Sequence, residues 1–190
     1  MYETFACAML EFSSIAAGIL SADQMVKAAN VEPVAFKTIC PGKFLASVRG
    51  DVAAVNASAE AGLRCGGTRV ADWFTLANIH ADVFPALSGT GAASALAVQN
   101  GGGALGIIET YSASAAVLAA DQAVKAAAVD LLDVRMAMGL GGKGYTLLTG
   151  DVAAVRAAVD AGATKAAEEG LLVSEVVIPR LSRSVWEQIL

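Results

Sequence analysis

GDVAAV at residues 50–55 returns letter for letter as GDVAAV at residues 150–155. Gly-Asp ahead of an Ala-Val run is a helix start. A carboxylate just before the first turn can accept from N–H groups that lack an intrahelical partner, so Asp51 and Asp151 are placed as caps. The repetition spreads outward from there. Ala61-Gly62 returns as Ala161-Gly162, SADQMVKAANV (21–31) is answered by AADQAVKAAAV (119–129), and AMLEFSS (8–14) by GIIETYS (106–112). NIHADVF (78–84) is matched loosely by IPRLSRSVW (178–186). Order and spacing are kept at an offset of about 100 residues, which is the mark of one small domain duplicated in tandem, not of a solenoid of short units.

Each copy sketches the same elements. An apolar strand (6–11; 104–110) leads to an Ala-rich helix opened by a serine. A second strand (31–37; 131–136), a Gly-rich turn and a third strand (44–49; 145–149) follow. The capped helix and a closing strand (71–76; 172–178) complete the copy. The order β-α-β-β-α-β is that of a ferredoxin-like α+β sandwich: an α/β chain with two antiparallel sheets, each with helices on one face. The stretch SGTGAASALAVQNGGGA (88–104) has a linker's composition. The expected layout is a first domain over 1–95, a Gly-rich linker over 96–103 and a second domain over 104–190.

Only 16% of the 190 residues are charged and 56% are hydrophobic. A monomer so composed has little polar material to cover itself, so the chain belongs in a membrane or has its surface taken up by partner subunits. Glu11, Gln99-Asn100 and Glu109 break the longest apolar runs well short of the roughly 18–20 residues a span needs. The opening MYETFACAML lacks the basic cluster of a signal peptide. Cys7, Cys40 and Cys65 are an odd set without metal-finger spacing, which suits a reducing compartment. These readings point to a cytoplasmic oligomer. A net charge of −5 offers no footprint for nucleic acid. AMGLGGKGY (137–145) is no phosphate loop, because Ala137 replaces its first glycine and Gly144 its hydroxyl residue.

Cys40 lies in KTICPGKF (37–44), bracketed by Lys37 and Lys43, which favour its thiolate. Taken alone, it reads as a small apolar loop residue. The ordered set of motifs, twice over, resembles the tandem-domain bacterial microcompartment (BMC) shell proteins. KTICPGKF, LANIHADVFPALSG and GLGGKGY bring it nearest to those of propanediol-utilisation compartments. The resemblance implies a homotrimer that imitates a six-domain hexagonal tile, a pseudohexamer, packed edge to edge with other shell proteins in a cytoplasmic microcompartment. It implies a pore lined by Thr38, Ile39, Cys40, Pro41 and Gly42 from one repeat. The other repeat lines it with Met138, Gly139, Leu140, Gly141 and Gly142, in a turn two residues longer. Tile-edge contacts fall to Lys27 and Lys125, with His80 and Arg180 at the adjoining edge.

The same resemblance implies a [4Fe-4S] cluster on Cys40, one per trimer, open to loss on aerobic purification. The implied role is to pass electrons across the shell, or to deliver or repair clusters for encapsulated redox enzymes. Three cysteines on a threefold axis supply three of a cubane's four iron ligands, so the ligand count is feasible. The alternative is a metal-free tile whose pore passes small metabolites. An enzyme using Cys40 as nucleophile and His80 as base is not expected, because the repeat alignment puts them on different parts of the domain.

Overall fold

The computed structural model describes residues 5–87, 103–136, 139 and 141–189. Repeat one runs β1 (Phe5–Phe12), α1 (Ile15–Ala28), β2 (Glu32–Ile39), β3 (Lys43–Gly50), α2 (Val52–Gly66) and β4 (Val70–Ile79), followed by the short α3 (Val83–Leu87). Repeat two runs β5 (Ala104–Thr110), α4 (Ala113–Ala126), β6 (Asp130–Met136), β7 (Gly144–Gly150), α5 (Val152–Glu168), β8 (Leu172–Ile178) and α6 (Arg183–Ile189). The sheets are ordered β2-β3-β1-β4 and β6-β7-β5-β8, with every pairing antiparallel. This is the β-α-β-β-α-β sandwich expected, formed twice. The linker 96–102, Met138 and Leu140 lie outside the described residues.

Two compact units emerge. One holds the described residues up to Ala81 with Gly139, Gly141 and Gly142; the other holds Asp82–Met136 and the chain from Lys143 onward. In the first, the period-two alternation of β1 turns Ala6, Ala8, Leu10 and Phe12 toward the helices. There they join Ala22 and Met25 of α1, Val55 and Ala59 of α2, and Phe44, Ala46 and Val48 of β3. Close approach of α1 depends on Gly18, where a Cβ would stand 2.5 Å from that of Phe44.

Serines open the first helix of each copy. Ser14 Oγ accepts from Ala17 N–H at 3.4 Å and Ser112 Oγ from Ala115 N–H at 3.0 Å. Asp51 caps α2 as expected, accepting from Ala54 N–H at 2.9 Å. Asp151 holds the matching position, but its side chain makes no capping bond. Only its carbonyl starts the helix, accepting from Val155 N–H at 2.8 Å.

In the second unit the helix-facing side of the sheet carries α4 and α5, while α6 lies on the opposite face. Trp186 is buried there with Leu105, Leu132 and Leu147. This sheet therefore has a helical cover on both sides, beyond the one-faced arrangement the motif order suggests. Within the same unit, α3 packs against β6 and α4. Among the described residues, no helix is long and apolar enough to cross a membrane.

Candidate functional site

The turn joining β2 to β3 consists of Cys40, Pro41 and Gly42, with Gly42 in the left-handed region at φ 73°. Thr38, Pro41 and Gly42 are exposed, Cys40 is half-buried, and Ile39 turns into the core. Gly139, Gly141 and Gly142, from the matching turn of repeat two, belong to the same compact unit, and all have positive φ (73°, 63° and 95°). Their backbone meets the cysteine turn directly. Gly139 N–H donates to Cys40 Sγ at 3.4 Å, and a Cβ on Gly142 would stand 3.0 Å from Pro41 Cδ. Only residues free of a side chain occupy such φ values without strain, which is why this turn is written in glycine.

The two lysines flanking Cys40 have other duties. Lys43 Nζ pairs at 3.2 Å with Glu11, whose side chain is wholly buried on β1. The pair has a twin in repeat two, where Lys143 meets Glu109 at 3.0 Å. Lys37 is half-buried, and that burial pulls its ammonium below the ordinary lysine range. The twin Glu–Lys pairs escaped the sequence reading, although AMLEFSS and GIIETYS align the acids and both turns end in lysine.

The four edge residues lie on other elements. Lys27, near the end of α1, is exposed and pairs with Asp23 at 2.6 Å; Lys125 makes the same pair with a buried Asp121 on α4. His80, just past β4, is half-buried, and Arg180, just past β8, is exposed. None of the four joins the cysteine turn. Among the described residues, no group of three or more His, Cys, Asp or Glu side chains is placed to hold a metal. At the cysteine turn a single chain thus offers one thiol, that of Cys40.

A larger surface feature was missed by sequence reasoning. Ile19 and Leu20 of α1 are 55% and 56% exposed, and Ile15 joins them. Counted from the capping serines, their equivalents on α4 are Ala113, Val117 and Leu118, all buried. The outer sheet faces show the reverse. In repeat one, Met9, Glu11, Leu45 and Ser47 are fully buried. In repeat two, Ile107, Glu109, Tyr145 and Leu147 line a cavity of about 360 Å³ with Arg135, Gln188 and Ile189. Arg135 lines it, bonded to Asp133 at 2.7 Å and lying 5.6 Å over the Tyr145 ring. Burial raises the Tyr145 phenol above its ordinary range; Arg135 opposes that shift and Asp133 adds to it. Repeat one is bare on α1, whereas repeat two is bare only at this cavity, which α6 leaves beside the part of the outer face that it covers.

The BMC domain model matches the chain twice, over residues 6–79 and 104–181. The chain is 45% identical over 183 residues to the bacterial microcompartment shell protein PduT of Citrobacter freundii, covering 96% of both chains. Over 77 residues it is 51% identical to the shell protein EutM of Salmonella typhimurium, covering 40% of this chain and 78% of that one. The crystal structure of a microcompartments protein from Desulfitobacterium hafniense superposes with a TM-score of 0.87 at 42% identity, covering 97% of this chain and 99% of that one.

Proposed function

We propose that this chain, which belongs to the BMC-domain family of bacterial microcompartment shell proteins, closes in threes into a flat tile with a sulfur site at its centre. The observation that carries this reading is the reciprocal lack of cover. The bare face of α1 (Ile15, Ile19, Leu20) in one copy matches the apolar floor of the cavity on the second sheet of the next (Ile107, Leu147, Ile189). Joining two different patches is a head-to-tail contact, which makes a closed ring when its rotation closes. Three chains with two domains each make a six-domain tile, which packs edge to edge with other shell proteins through Lys27, Lys125, His80 and Arg180. The wall so formed stands in the cytoplasm around its enclosed enzymes.

The residues fit an iron–sulfur cluster provided the ring forms. Cys40 presents a half-buried sulfur with an amide N–H already directed at it, and three such sulfurs around one axis hold three irons of a cubane, with the fourth left to a small ligand. A bound [4Fe-4S] group supplies one-electron carriage, here between redox partners on the two sides of the shell. The chain's part is to hold the sulfurs and expose the site through Thr38, Pro41 and Gly42. The protein does no covalent chemistry of its own. Anaerobic reconstitution with iron and sulfide tests this: a broad visible absorption is expected for the wild type and its loss in Cys40→Ser. Colour that survives in Cys40→Ser contradicts it.

A second reading keeps the tile and leaves the centre free of metal, as a passage for small metabolites. Both readings agree with the described residues of a single chain, which bring no metal-ligating cluster together. A wild-type trimer that binds no iron after reconstitution decides for this reading.

A further inference from the structure

We infer that the backbone amide of Gly139 is the positioning group for the Cys40 sulfur, so that the repeat without a cysteine contributes to the central site through its main chain. This rests on the ring reading above. Three observations lead to it. Gly139 N–H donates to Cys40 Sγ at 3.4 Å across 99 positions of sequence, a contact that nothing in the local chain requires. Gly139, Gly141 and Gly142 all have positive φ, and Gly142 leaves just the room that Pro41 occupies. The nearby cation that a sulfur could have used, Lys43, is held instead by the buried carboxylate of Glu11. An amide aimed at a sulfur fixes its direction and stabilises negative charge on it. On a cluster ligand such a bond favours the more reduced state and raises the reduction potential. Per ring, the three sulfurs then receive three amides, each from its own chain.

The first test uses the metal-free trimer. In the wild type the Gly139 amide exchanges with solvent slowly, and in Cys40→Ala it exchanges several-fold faster while Gly170, on a remote turn, is unchanged. Equal exchange in the two proteins overturns the inference. The second test uses the reconstituted trimer in an anaerobic redox titration. Gly139→Ala, strained at φ 73°, shifts the midpoint potential to more negative values. Gly170→Ala imposes the same kind of strain at φ 70°, also in open space, and leaves the potential alone. A Gly139→Ala potential equal to wild type overturns the inference. Should the wild type bind no iron at all, the cluster reading fails, and the amide-exchange comparison alone decides the role of Gly139.

Discussion

Helices α1 and α4 descend from one sequence, yet α4 is buried along its first two turns while α1 leaves Ile15, Ile19 and Leu20 in water. The sheets differ in the opposite sense, closed on the outer face in repeat one and open around a cavity in repeat two. The difference teaches that the duplicated chain is unfinished by itself. Fully burying an aliphatic side chain stabilises by about 1.5–3 kcal/mol, so three half-covered ones leave roughly 2–4 kcal/mol per interface to be gained on ring closure.

The comparison breaks most visibly at Ile19. Ile19→Glu sets an unpaired carboxylate against an apolar cavity, and the protein is expected to sediment as a folded monomer at concentrations where the wild type is a trimer. A trimer that persists refutes the reciprocal-face contact.

The buried pair on α4 comes next. Asp121→Ala removes the buried carboxylate of an ion pair whose lysine is exposed, and is expected to cost about 1–2 kcal/mol in urea denaturation, less than breaking a fully buried pair because water solvates Lys125. The exposed twin, Asp23→Ala, is expected to cost only about 0.3–0.5 kcal/mol in the monomeric Ile19→Glu background. Equal costs there sink the idea that the copies differ by cover.

A comparable effect tests how each copy seats its first helix. Repeat one sets Gly18 under Phe44; repeat two sets Ala116 over Gly144, where a Cβ would stand 2.8 Å from that of Ala116. The two pairs occupy equivalent places, because Phe12 pairs with Phe44 and Thr110 with Gly144. Gly144→Phe is expected to cost about 1–3 kcal/mol by overpacking. Adding Ala116→Gly should recover part of that, giving a coupling of about 0.5–3 kcal/mol in a double-mutant cycle. Simple additivity speaks against the size exchange.

The smallest effect is in pH. With its folded pKa raised, Tyr145 stays neutral in the native protein after it has ionised in the unfolded chain. Its stabilising share is whole below about pH 10 and falls as pH rises through the higher native value. Tyr145→Phe should therefore flatten the alkaline decline in melting temperature. An unchanged decline removes Tyr145 as its source.

The fold was legible because two signals agreed: the β-α-β-β-α-β order of elements in each copy, and the doubled GDVAAV and ADQ-x-V-K blocks. Asp151 shows the limit of that reading, since a capping residue in the right place need not turn its carboxylate to the free amides. Trp186 shows another: a short C-terminal helix carries no periodic mark of which sheet face it will cover. At the site, Cys40 stood out through family resemblance, not spacing. Gly139 could not be found that way, because its contribution is a main-chain N–H that any residue has and its partner lies 99 positions away. The bare face of α1 was half legible. Ile15, Ile19 and Leu20 replace Ala113, Val117 and Leu118, but apolar residues on both helices say nothing of which one is already covered.

Native mass spectrometry of the anaerobically reconstituted protein tests the central claim most directly. The account predicts a particle of three chains carrying one [4Fe-4S] group, and three chains without it when Cys40 is replaced by serine. A particle that is monomeric, or that keeps its iron and sulfide without Cys40, contradicts the account.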